Sequence, residues 1–322
     1  MRGLTSRLAR PLALVAVLAL AAAACGGGNE ASGGSGAQTG RLSGTVRIDG
    51  SSTVAPLSET AAEMFQNEQP GVRVTVGTSG TGGGFEKFCN GETDISDASR
   101  PIRQSEIDAC TAKGIRYDQL TVGNDGIAVI VSPQNTWAQC LTVEQLKKVW
   151  EPGSRVSSWR DVDPSFPDER LALFGAGTDS GTFDYFTEAI NGRSGASRTD
   201  YNATEDDNVT VNGVSGTRGG LGYLGLSYVE ESGGRVRAVQ VDGGGGCVAP
   251  TTQTVQNGTY KPLGRPVFIY PKADALQRPE VAAFVRFYID NIDTITKEAL
   301  YVPLTPQQKA ESLAKLQGLI AS

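Results

Sequence analysis

The chain has 322 residues, of which 39% are hydrophobic and 20% charged, the balance of an ordinary globular protein long enough for a large core. It contains no histidine, which removes Ser-His-Asp and Cys-His catalysis and the commonest metal ligand. A net charge of −6 argues against nucleic acid as a partner, because its binders need basic surface.

Arg2, Arg7 and Arg10 form a basic start, and residues 12–24 are an apolar run shorter than a comfortable membrane span. The run ends in Leu20-Ala21-Ala22-Ala23-Ala24-Cys25-Gly26. Small residues directly before a cysteine resemble the bacterial lipobox. That resemblance implies a signal peptide over 1–24, acylation of Cys25, and an extracytoplasmic protein lipid-anchored to the cell membrane. A plain secretory signal with a chance cysteine is the alternative. Residues 25–44, rich in Gly and Ser, read as a flexible tether. Removing the signal takes three arginines and no acid with it, so the mature chain is more acidic still.

Cys89, Cys110, Cys140 and Cys247 remain, an even number that favours two disulfides in an exported chain, with three connectivities open. Closing a local loop first gives Cys89–Cys110, which leaves Cys140–Cys247. A zinc site is the other use of four cysteines, but no CxxC spacing supports it, so no metal is expected.

From residue 45 onward, short β-branched runs alternate with helical periods. Val46-Arg47-Ile48 reads as a strand, and Leu57, Ala61, Met64 and Phe65 recur at helical spacing behind Pro56. Gln69-Pro70-Gly71 stops that helix, and Val72-Arg73-Val74-Thr75-Val76 alternates as a strand should. A short helix carries Phe85 and Phe88, and residues 94–98 form another strand. Residues 126–131 are an almost continuous apolar run, the pattern of a buried strand, and 141–150 look helical. A strand over 171–175 feeds a helix with Phe183, Phe186 and Ile190 on one face, ending at Asn191-Gly192. Residues 191–220 give no clear period, and 222–229 read as a strand or a short buried turn. A second apolar run covers 265–271, and amphipathic helices follow over 281–289 and 305–319.

Strand-turn-helix repetition of this kind implies an α/β protein with parallel strands and helices on both faces. The two apolar runs flank a central block, which predicts one lobe from 45–130 plus 266–322 and a second from 131–265. Two crossover segments would then form a hinge between them.

Three strand-to-helix turns gather Ser, Thr and Gly: Gly50-Ser51-Ser52-Thr53, Gly77-Thr78-Ser79-Gly80-Thr81-Gly82-Gly83-Gly84, and Gly177-Thr178-Asp179-Ser180-Gly181-Thr182. Helix starts carry unpaired N–H groups and a partial positive charge, so such turns attract an oxyanion. Each alone would serve as an N-cap, but the glycines exceed what a cap needs and suggest a ligand lying against the main chain. The second turn lacks the Gly-Lys-Ser/Thr of a P-loop, and Phe85 stands where a dinucleotide fingerprint needs its third glycine. Thr178 breaks the nucleophile-elbow pattern around Ser180. The turns therefore point to binding without catalysis. Among nearby charges, Arg100 could offer a forked donor to the anion. Asp97 would accept a hydrogen bond from a protonated ligand oxygen, which favours hydrogen phosphate over sulfate.

These turns, together with residues 95–102, are similar to the extracytoplasmic phosphate-binding proteins of ABC-type phosphate transporters, the PstS-like lipoproteins, over essentially the whole mature chain. The resemblance implies the type II periplasmic-binding-protein fold, two lobes joined by two crossover segments, and inorganic phosphate as ligand. It also implies a membrane permease as partner, a monomer, and no cofactor. By motif match it implies that Ser52 and Thr53 bind from the first turn, Thr81 with Ser79 from the second, and Ser180, Gly181 and Thr182 from the third. Asp97 would be the carboxylate that reads the ligand's proton. Familiar members carry an arginine four residues before the serine of the third turn, where this chain has Ala176. Arg100 is the expected replacement, with Arg218 a second candidate. The expected function is high-affinity phosphate binding and delivery to the permease. Alternatives are a receptor of the same fold for another oxyanion such as molybdate, and a phosphate-sensing surface protein.

Overall fold

The structure is a computed structural model that describes residues 41–178, 180–204 and 206–321. The expected signal peptide, Cys25, most of the expected tether and Asp179 of the third turn lie outside the described residues.

Twelve strands are described: β1 (Gly44–Gly50), β2 (Val72–Gly77), β3 (Ile95–Ala98), β4 (Leu120–Val131), β5 (Cys140–Thr142), β6 (Ala172–Ala176), β7 (Asn202–Thr204), β8 (Gly220–Gly225), β9 (Arg237–Ala238), β10 (Gln240–Asp242), β11 (Cys247–Val248) and β12 (Gly264–Pro271). Nine of them form one sheet in the order β2-β1-β3-β12-β4-β8-β6-β7, with β9 also on β4. β11, β10 and β5 make a small separate sheet. The helices that matter for the site are α1 (Ala55–Glu68), α2 (Gly80–Cys89), α3 (Gln104–Ala112), α4 (Val143–Trp150), α5 (Trp159–Val162) and α6 (Gly181–Asn191).

β4 and β12 are the two crossovers of a two-lobed α/β fold. The first half of β4 pairs antiparallel with β12, from Leu120–Ile269 to Gly126–Gly264. Its second half, from Ile127, pairs instead with β8. The buried side chains divide at the same point. Leu120 and Val122 belong to a cluster with Val46, Leu57, Phe65 and Phe284, whereas Ile127 to Val131 belong to one with Trp150, Phe186 and Tyr223. Each lobe thus has its own apolar core, and the polar residues between them, Asn124 and Asp125, sit midway along one continuous strand.

Those cores set where the turns point. α1 buries Leu57, Ala61 and Phe65, with Phe65 against Phe284 and Phe287. α2 buries Phe85 and Phe88, and Phe85 meets Tyr270 of β12 edge-on at 4.9 Å. α6 is held by Phe186, stacked on Tyr223 at 3.8 Å, and both rings pack on the buried Trp150. Each such aromatic pair adds about 0.5–1.5 kcal/mol beyond the area it buries. Cys89 is bonded to Cys110, which clips α2 to α3, and Cys140 is bonded to Cys247, which clips β5 to β11.

Residues 140–142 form a strand, and the helix expected from 141 begins at Val143, capped by the Thr142 hydroxyl accepting from the Gln145 N–H. The parallel partner β10 draws Leu141 into the small sheet. The unperiodic stretch 191–220 contains β7 and a helix at Asp207–Ser215. β7 is held from outside: Tyr201, just before it, donates its hydroxyl to the Ala176 carbonyl, and Asn202 donates its amide to the Leu173 carbonyl.

Candidate functional site

The first turn leaves β1 at Gly50, and the carbonyl of Ser51 accepts from the N–H groups of Val54 and Ala55. The second turn packs directly on it. A Cβ at Gly84 would sit 2.4 Å from the Gly50 Cα, so only glycine lets α2 approach this closely. Part of the glycine richness of the second turn therefore serves packing of backbone on backbone, where the sequence suggested contact with a ligand.

The third turn comes from the other lobe and meets the first across the cleft. A Cβ at Gly181 would lie 2.7 Å from both the N and Cα of Thr53. The Thr53 hydroxyl donates to the Gly181 carbonyl at 3.3 Å, and the Ser52 hydroxyl donates to Asp184 of α6 at 3.1 Å. Ser180 caps α6 by accepting from the Thr182 N–H.

A cavity of about 270 Å³ opens beside this contact, walled by Ser51, Ser52 and Thr53, by Thr81, and by Arg100 and Arg265 among others. Asp184 and Glu188 of α6 close its far side. Ser180 and Thr182 face a neighbouring cavity with Asp125 and Tyr301. Ser79 and Asp97 line neither. The Ser79 hydroxyl donates to Asp49, whose other oxygen takes the Lys87 ammonium at 2.6 Å. Burial alone would raise the Asp49 carboxyl, but the bonds from Lys87 and Ser79 outweigh it and hold it below its usual range. The Thr81 hydroxyl pairs with that of Ser99 at 3.1 Å and accepts from the Ser99 N–H.

Asp97 lies immediately behind the first turn. Its carbonyl accepts from the Ser51 N–H, and its fully buried side chain turns into the lobe, where one oxygen accepts from Ser58 at 3.0 Å. The other oxygen has no hydrogen-bond partner. Burial pushes this carboxyl up to about 8, and the Ser58 bond offsets only part of the rise.

Arg100 reaches the cavity wall, but its fork is taken. Glu106 of α3 accepts from Nη1 at 2.9 Å and from Nη2 at 2.7 Å. The same Glu106 accepts from the Arg103 N–H at the start of α3, so a helix cap and an ion pair share one carboxylate. Arg218 lies elsewhere, over Trp137 and 3.5 Å from Glu169. Ala176 is buried in its lobe's core.

Two charged residues at the centre of the site were not singled out from the sequence. Arg265 of β12 and Asp125 of β4 are directly opposite one another on the paired crossovers. Arg265 opens what otherwise reads as an apolar strand, and Asp125 closes the polar stretch before another. A charge at the margin of a buried strand was the available signal. Burial raises the Asp125 carboxyl to about 6, with Arg265 acting against the rise.

Among the described residues, no group of three or more Cys, Asp or Glu side chains is placed to hold a metal ion, and no helix is long and apolar enough to cross a membrane.

A two-lobed sheet with strand-to-helix turns from both lobes meeting at a polar cleft is the architecture of a solute-binding protein, and the chain belongs to the PBP superfamily, whose domain matches residues 35–291. Within it, the chain groups with the SphX and PstS proteins. It is 48% identical over 262 residues to the SphX protein of Synechococcus elongatus, covering 80% of this chain and 77% of that one. It is 36% identical over 299 residues to the phosphate-binding protein PstS of Staphylococcus saprophyticus, covering 92% and 90%. A crystal structure of a possible phosphate binding protein from Planctomyces limnophilus superposes with a TM-score of 0.84 at 45% identity, covering 87% of this chain and 99% of that one. An ABC-type phosphate transport receptor from Vibrio cholerae shares the fold, with a TM-score of 0.64 at 22% identity.

Proposed function

We propose that this chain is an extracytoplasmic receptor that binds one inorganic phosphate with high affinity and delivers it to an ABC-type permease. Acylation at Cys25 would anchor it to the membrane through the tether, and the receptor would act as a monomer without enzymatic chemistry. The two lobes in this reading are 45–130 with 266–322, and 131–265.

The observation that carries the reading is the direct meeting of the first and third turns beside a cavity walled by hydroxyls and arginines. Two helix N-termini from opposite lobes, α1 and α6, converge there, and α2 packs on the first. Their N–H groups and the Ser52, Thr53 and Thr81 hydroxyls suit an anion held by dipoles, and Ser180 and Thr182, which face the neighbouring cavity, would join them from the third turn. Gly181 lets the third turn close on the ligand, and Ser79, fixed by Asp49, positions the start of α2. Arg100 adds charge to the wall, although its fork is engaged. An acidic chain can bind an anion this way, because local donors set affinity while the overall charge acts mainly on the rate of encounter.

Asp97 is the natural selectivity element. Its side chain rests on Ser58 inside the lobe and would have to turn toward the first turn to reach a ligand; as a carboxylate there it would accept only from a ligand that brings a proton. Hydrogen phosphate does so and sulfate does not. The test is isothermal titration of the phosphate-stripped protein with phosphate and with sulfate. Tight phosphate binding with no sulfate heat is expected, and an absence of phosphate binding would refute the reading.

A further inference from the structure

The three turns supply hydroxyls and amides but no free guanidinium. Ala176, before the third turn, carries no charge, and the fork of Arg100 is closed by Glu106. Arg265 is different. Its Cζ lies 3.4 Å from the centre of the Tyr185 ring, which fixes the plane of the guanidinium. Yet its polar contacts are long: Nε is 3.9 Å from Asp125, Nη1 is 3.7 Å from Glu188, and Nη2 reaches the Thr53 hydroxyl only at 3.5 Å.

At 3.7–3.9 Å these are ion pairs and not hydrogen bonds. Both Arg265 Nε and Asp125 Oδ2 are buried without a hydrogen-bond partner. A guanidinium has five donors, and leaving them unmet at a side chain only 17% exposed is costly. Arg265 also stands on the wall of the cavity that the Ser52, Thr53 and Thr81 side chains share. It is therefore a cation held in place by an aromatic face, with donors left over beside the hydroxyls of the first turn.

We propose that Arg265 is the cation that binds the oxyanion in this protein, and that Asp125 is its positioning residue. The assignment rests on the phosphate reading above. It places the cationic contact on the crossover strands, where Arg265 and Asp125 are cross-strand partners, and away from the turn that travels with the second lobe. Glu188 and Asp184 on α6 face the same space, so the ligand would replace Glu188 as the partner of Arg265.

Titration calorimetry with inorganic phosphate tests this on wild type, Arg265→Ala, Arg265→Lys, Arg100→Ala, Asp125→Asn and, as a control away from the cavity, Arg218→Ala. A hydrogen-bonded charge removed from the ligand should weaken phosphate by about tenfold to hundredfold in Arg265→Ala. Arg265→Lys keeps a point charge but loses the fork and should fall about tenfold or less. Arg218→Ala should match wild type. Asp125→Asn should weaken binding by less than Arg265→Ala, and should have no further effect in the double variant. If Arg265→Ala does not fold, Arg265→Lys carries the test. Wild-type affinity in the Arg265 variants, or a larger loss in Arg100→Ala, overturns the assignment while the phosphate reading stands. No phosphate binding by wild type overturns both.

Discussion

Gly181→Ala separates closure of the cleft from stability of the fold. Gly181 opens α6 and its φ is not positive, so alanine is compatible with its backbone, and helix propensity favours alanine by up to about 1 kcal/mol. The ligand-free protein should be as stable as wild type or slightly more so. Closure is another matter. The new Cβ would stand 2.7 Å from Thr53 N and Cα and 2.9 Å from the Ser52 carbonyl carbon, all main-chain atoms that cannot rotate away. Reaching ordinary contact at 3.4 Å requires the two turns to part by roughly 0.7 Å, enough to lengthen the Thr53–Gly181 hydrogen bond beyond use. Overpacking of this kind costs about 1–3 kcal/mol, which is about fivefold to 150-fold in phosphate affinity if closure is coupled to binding. Calorimetric titration and a thermal melt of the stripped protein measure the two quantities separately. Phosphate affinity within twofold of wild type would refute the reasoning. So would a fall in ligand-free stability as large as the fall in affinity, because the clash would then not be specific to the closed cleft.

Other outcomes follow from the same geometry. Phosphate at a hundred times its dissociation constant should raise stability by about 2.7 kcal/mol, read as a higher Tm, and sulfate should not. A Tm unmoved by phosphate would contradict specific binding. Asp97 carries a carboxyl raised from 3.8 to about 8, so the folded state holds its proton more tightly than the unfolded chain. The stability linked to that proton is full below about pH 4 and drains away as the pH rises toward 8, about 1.4 kcal/mol per unit of separation. Asp97→Asn should keep the fold, flatten that part of the pH–Tm profile, and weaken discrimination against sulfate. An unchanged profile and unchanged sulfate rejection would exclude the role. Replacing each disulfide by serines should cost about 2–4 kcal/mol in denaturant midpoint experiments. The Cys140–Cys247 pair, spanning 107 residues against 21, should cost about 1.4 kcal/mol more, and the reverse order would argue against chain entropy as the main contribution.

The three Ser/Thr/Gly turns, the helices behind them and the two apolar crossover runs were legible because each depends on neighbours a few residues away. Pro56 starts a helix, Gly192 ends one at a φ of 84°, and the alternation of residues 72–76 marks a strand without help from the rest of the chain. The absence of histidine likewise bounded the chemistry before any fold was known. What could not be read was which side chains the packing of separate elements brings face to face. β7 exists because Tyr201 and Asn202 bond to the main chain of β6, and Leu141 is a strand residue because β10 lies beside it. Glu106, not the anion, closes the fork of Arg100, since α3 turns back toward the second turn. The pairing of Arg265 with Asp125 needs two crossovers in register, and the contact of Gly181 with Thr53 needs both lobes. Local backbone preference wrote the donors into the sequence, whereas the match of distant strands and packed cores decided which of them face one another across the cleft.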